Sequence, residues 1–216
     1  MGFLKKIDAF EKRFMIFASP PELINPLNTK LNRRNENKKM YIQYGKKRGI
    51  LLDVISPNIK LYRLQLSNDT GEFIVFDDNS QRILYKMCFE SHTIFGHKFA
   101  VQSFVWSSKD LVNYNIKGQS VSSYVFFIYL IKAADGVAIA TDMFHTPDGM
   151  EFWLRRISQA FFKKYHVYLI DVTKDIKSKA LNNDDFEDKI ENMKIWTGEK
   201  DDGQNRRVII SPKTIW

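Results

Sequence analysis

Eight cations crowd the segment from residue 30 to residue 48: Lys30, Arg33, Arg34, Lys38, Lys39, Lys46, Lys47 and Arg48, set among asparagines and beside Tyr41 and Tyr44. Lysine and arginine at this density neutralise phosphates, asparagine amides donate to phosphate oxygens, and tyrosine rings stack on bases. These ten residues are the expected nucleic-acid-binding set, and an acidic protein surface is the other partner that suits the same charges. A solvated connector whose charge serves solubility alone is the plainer alternative. The charge is strictly localised. Residues 1–48 hold 12 Lys/Arg against 4 Asp/Glu and the remainder holds 21 against 21, so the net charge of +8 belongs to the N-terminal part. A localised positive field draws polyanions without choosing among them.

A second cluster of reactive types lies at Thr141-Asp-Met-Phe-His-Thr-Pro-Asp-Gly149, between a strand end and a helix start. Asp142 and His145 are the candidate catalytic residues, an acid and a base within reach of each other if the backbone folds them together. Thr146, Asp148 and Gly149 are the candidate ligand-binding residues, since helix-terminal amides favour a phosphate or carboxylate. A turn in which Thr146, Pro147 and Asp148 only start the helix satisfies the same pattern. Elsewhere His92 and His97, with Glu90, offer paired imidazoles, but they lack the spacing of a metal-binding helix and read as turn histidines, so no metal is expected. The single cysteine, Cys88, excludes an internal disulfide, sits in an apolar run and reads as a buried thiol in a reducing, cytoplasmic setting. Ser107-Ser108 and Ser120 to Ser123 lack a nucleophile pattern and read as loops.

These residues must be positioned by the elements around them. Phe3, Ile7, Phe10, Phe14 and Phe17 recur at helical spacing and predict an N-terminal helix, either docked on the core or lying on a membrane surface. No signal peptide and no transmembrane segment are expected. Asn28 to Arg48 has few apolar residues and reads as a flexible connector, so residues 1–48 form a basic helix and arm and residues 49–216 a single domain. Alternation at Ile59 to Leu66, then the runs Phe73 to Phe76 and Ile83 to Phe89 flanking the turn Asp77-Asp-Asn-Ser80, and Phe99 to Trp106 after Gly96, predict an antiparallel meander. Tyr124 to Ile131 reads as a further strand, turning through Asp135-Gly136 into Val137 to Ala140. Asp148 caps a helix along Met150, Trp153, Leu154, Ile157, Phe161 and Tyr165. A strand at His166 to Val172, a helix at Asp185 to Met193 and a strand at Arg207 to Ile210 complete the chain. The fold class is α+β: a mainly antiparallel sheet with a helix on one face, then a strand–helix–strand C-terminal part.

The order meander, helix, parallel-type strand, helix, strand resembles in outline the core of the GNAT acyltransferases, over about the middle third of the chain. The resemblance implies that residues His145 to Glu151 form the loop holding an acyl-CoA pyrophosphate, ahead of the helix through Tyr165 and the strand His166 to Val172. That family's loop is basic and glycine-rich, whereas this one has Gly149 alone and the acid Asp148, which opposes a pyrophosphate. Two functions follow. The favoured one is a binding or accessory protein, not an enzyme, that engages nucleic acid or an acidic partner through the basic segment and needs no cofactor. The alternative is an acyl-CoA-dependent transferase using the 142–151 junction. The abundance of Lys, Asn and Ile suits an AT-rich coding sequence and a bacterial or mobile-element source.

Overall fold

Five consecutive antiparallel strands follow from Ile50 onward, the central ones rich in apolar residues and buried along continuous runs: β1 (Ile50–Ser56), β2 (Ile59–Gln65), β3 (Thr70–Asp77), β4 (Arg82–Ile94) and β5 (His97–Ser107). The computed structural model describes residues 26–47, 49–131, 139–140, 147–193 and 205–216, the side chains of 26, 28, 140 and 147–150 excepted. The expected N-terminal helix over Phe3 to Phe17 lies outside them. The chain divides into two compact units, one within Ile24–Ile139 and one within Ala140–Trp216.

In the first unit the tight turns explain the strand order. Asp77 Oδ1 accepts from the amides of Asn79 and Ser80 to close the β3–β4 turn. Phe95 and Gly96, at φ 48° and 77°, form a two-residue connection between the paired Ile94 and His97. Both residues being left-handed matches the right-handed twist of the flanking strands. One sheet face carries Tyr62, Leu64, Ile74, Phe76 and Phe104, and two helices cover it: α1 (Pro26–Asn32) and α2 (Arg34–Gly45), which contribute the buried Leu31 and Met40. The flexible connector expected over Asn28 to Arg48 is thus a helical pair that completes a core.

After a short 3₁₀ turn (Lys109–Asn113) and the small hairpin β6 (Asn115–Ile116) and β7 (Gln119–Ser120), the chain enters α3. This helix runs over Val121–Tyr124 and continues, more widely wound, through Val125–Leu130. The strand expected at Tyr124 to Ile131 is therefore helical. Val125, Phe126, Phe127 and Leu130 are buried and Tyr129 meets Phe73, so the run is apolar on most sides because it is enclosed, which periodicity cannot distinguish from a buried strand. Ser120, expected in a loop, is its N-cap, accepting from the amide of Ser123. The turn Asp135-Gly136 lies outside the described residues, and β8 is the pair Ile139–Ala140.

The second unit is built on β9 (His166–Asp171), which pairs antiparallel with both β10 (Ile176–Ala180) and β11 (Arg206–Ser211). The parallel-type placement expected for the strand after the helix is not found among these pairings. Helix α4 (Pro147–Phe162) buries Trp153, Leu154, Ile157 and Ala160, and α5 (Asn183–Asn192) buries Phe186 and Ile190. The fold is α+β, with helices on an antiparallel five-stranded sheet and a three-stranded sheet carrying the C-terminal strand–helix–strand part. No helix among the described residues is long and apolar enough to cross a membrane.

Candidate nucleic-acid interface

Helix α2 has little of the usual amphipathic signal, because polar and aromatic side chains build its inner face. Asn37, Met40, Tyr41 and Tyr44 fall at helical spacing and turn toward the sheet. Asn37, only 4% exposed, makes three hydrogen bonds. Its Nδ2 donates to the Leu31 carbonyl at 2.9 Å and the Ile83 carbonyl at 3.0 Å, while its Oδ1 accepts from the Ile83 amide at 2.7 Å. The irregular register of β3 and β4 between Val75 and Phe76 lies opposite this point. One side chain thereby satisfies both backbone groups of Ile83 and ties α1, α2 and β4 together.

Both tyrosines of the expected binding set are engaged inside the fold. The Tyr41 hydroxyl donates to Asp78 Oδ1 at 2.9 Å, and its ring meets Phe76 edge-on. Lys60 Nζ, 3.4 Å from Asp78 Oδ2, shares that carboxylate. The Tyr44 hydroxyl accepts from Lys86 Nζ at 2.7 Å, and the same ammonium lies 4.1 Å from the ring centroid. Lys86 is buried and pairs with Glu72 Oε1 at 2.6 Å. Burial opposes its charge, but Cys88 and the hydrogen bonds to Glu72 and Tyr44 hold the ammonium above the usual lysine range. Burial pushes the Cys88 thiol up to about 12, against the pull of Lys86, so it stays protonated at neutral pH and is a poor nucleophile.

With the inner face so occupied, the cations point outward. Lys30 on α1, Arg33 between the helices, Arg34, Lys38 and Lys39 on α2, and Lys46 and Lys47 just beyond it are all exposed. Arg48 lies outside the described residues. Residues 26–47 hold one acid, Glu36, which pairs with Lys39 at 2.8 Å; the Lys39 hydrogen bond lowers the Glu36 pKa. Exposed Asn35 and Gln43 add neutral donors on the same side. The surface is a rigidly backed array of seven cations, with hydrogen-bond donors between them. Asn37 was not part of the expected site, although its place on the Met40, Tyr41 and Tyr44 face is the signal that marks it as a fastener.

The second candidate region is less visible. Asp142, His145 and Thr146 lie outside the described residues, and Asp148 and Gly149 fall in the first turn of α4. His92 Nε2 lies 3.3 Å from Glu90 Oε2, while His97 packs edge-on to Phe99. No group of three metal-ligating side chains occurs among the described residues. No family model, no curated protein and no solved structure matches this chain, so the site rests on its own geometry.

Proposed function

We propose that this protein binds nucleic acid through the outer surface of α1 and α2, as a binding or accessory protein and not as a catalyst. The observation that carries the reading is the separation of roles within one short segment. Leu27, Leu31, Met40, Tyr41 and Tyr44 hold the helices on the sheet, and the seven described cations face solvent together with Ile42 and with one acid among them. A charge array built only for solubility needs no such anchoring, whereas phosphate binding gains from cations held in fixed positions.

Deleting the segment is a poor test, because it removes Leu31, Met40 and Asn37 from a core. Exposed substitutions in the full chain are cleaner. Arg34→Gln with Lys38→Gln leaves the inner face untouched. Binding of labelled nucleic acid, measured by fluorescence anisotropy across salt concentrations, is expected to follow a log–log slope near −5 if about six cations meet duplex phosphates. The double variant makes that slope shallower by about 2, to about −3. Tighter binding to polyglutamate than to any nucleic acid identifies an acidic protein as the partner and overturns the reading.

A further inference from the structure

We infer that the ligand of the α1–α2 surface is the phosphate backbone of a double helix, read without stacking on bases. This rests on the nucleic-acid reading above and narrows it. Single-strand binders join a basic groove to exposed aromatic rings, each stacked base contributing about 1–3 kcal/mol. The two tyrosines that could have served are committed elsewhere: Tyr41 holds Asp78 and Phe76, and Tyr44 carries the Lys86 ammonium on its ring. Among the described residues of the first unit every Phe, Tyr and Trp is buried or half-buried. Trp106, half-buried beside α1, donates its Nε1 hydrogen to Asn32 Oδ1 at 3.0 Å.

What the surface does present is spacing. Arg34 and Lys38 stand one turn apart, roughly 6 Å along the helix axis, and the Asn37 bonds to Leu31 and Ile83 keep that axis fixed on β4. A duplex is equally stiff, with a phosphate every ~1.7 Å of its axis. Two rigid lattices of opposite charge lose little freedom on meeting. A single strand would have to be ordered on the surface, with no fully exposed ring among the described residues of the first unit to offset that cost. Asn35 and Gln43 donate to phosphate oxygens as readily in DNA as in RNA duplexes, so the shared chemistry is the double-helical backbone.

The test uses the full chain and four labelled probes of equal length: double-stranded DNA, double-stranded RNA, single-stranded DNA and single-stranded RNA, each titrated at two or more salt concentrations. Binding to one or both duplexes at least tenfold tighter than to the matching single strand, with no preference between unrelated sequences, is the expected result. The two duplex arms show whether the DNA or the RNA helix is preferred. Equal or tighter binding of single strands overturns the duplex inference and leaves the nucleic-acid reading standing. Absence of salt-sensitive binding to all four probes overturns both. Duplex binding unchanged in the Arg34→Gln, Lys38→Gln variant places the contact elsewhere and also overturns the inference.

Discussion

Asn37 does at one position what an adjacent strand would do, supplying both a donor and an acceptor to the backbone of Ile83 and a further donor to Leu31. Replacing it with leucine, of similar size, leaves three buried backbone groups without those partners. Each such group costs about 1–3 kcal/mol, so Asn37→Leu is expected to destabilise the fold by about 3 kcal/mol or more, measured as a lower midpoint in urea. The Lys86 ammonium and the Cys88 thiol nearby set a pH dependence whose sign follows from their shifts. Cys88 is raised from 9.0 to about 12, so the unfolded chain ionises first and stability falls as pH rises above 9. Lys86 is raised above 10.5, so its contribution is full below that value and is lost as pH rises through the folded pKa. Cys88→Ala removes the first loss. Its stability, followed by denaturation from pH 8 to 11, is expected to fall less between pH 9 and 10.5 than that of the parent. At this scale the cations could be read directly, because Lys and Arg rarely bury without a partner. Tyr41 and Tyr44 could not, because a tyrosine serves equally well as a core residue with a polar tip or as an exposed platform.

The elements differ in how openly the chain declares them. The meander shows because β2 to β5 are short apolar runs rich in β-branched and aromatic residues, separated by Asp, Asn and Gly turns, and α4 shows because its apolar stripe is long. Helix α2 is hidden, since Arg34–Gly45 contains only two aliphatic side chains, Met40 and the exposed Ile42. Strand β10 is hidden for another reason. Among the described residues Ile176–Ala180 pairs with β9 alone and carries Lys177 and Lys179, which blunt an edge against further pairing and erase its hydrophobic pattern. The end of α4 gives a prediction proper to an element. Lys164 sits at φ 59°, and the amide of Tyr165 returns to the Ala160 carbonyl at 2.9 Å, a helix stop that glycine makes without steric cost. The Lys164 side chain is exposed, so Lys164→Gly gives up little packing. It is expected to stabilise the fold by about 1 kcal/mol, seen as a higher melting temperature by calorimetry.

For the whole molecule, the net charge of +8 has two consequences that oppose each other in salt. Seven exposed cations along residues 30–47 repel one another across short distances, and that repulsion weakens the free fold at low ionic strength. At 0.15 M salt the screening length is about 8 Å, comparable to one or two helical turns, so adding salt relieves neighbouring pairs. The free protein is therefore expected to melt higher as salt rises from about 0.01 to 0.3 M. Bound duplex reverses the trend, because phosphates then neutralise the same cations, and ligand in hundredfold excess over Kd adds about 2.7 kcal/mol of apparent stability. That increment depends on an affinity that falls by orders of magnitude between 50 and 200 mM salt. Melting curves with and without duplex should thus be widely separated at low salt and converge at high salt, with the lower curve rising to meet the upper. Two curves that stay parallel across the salt series would mean that the added stability does not come from these charges.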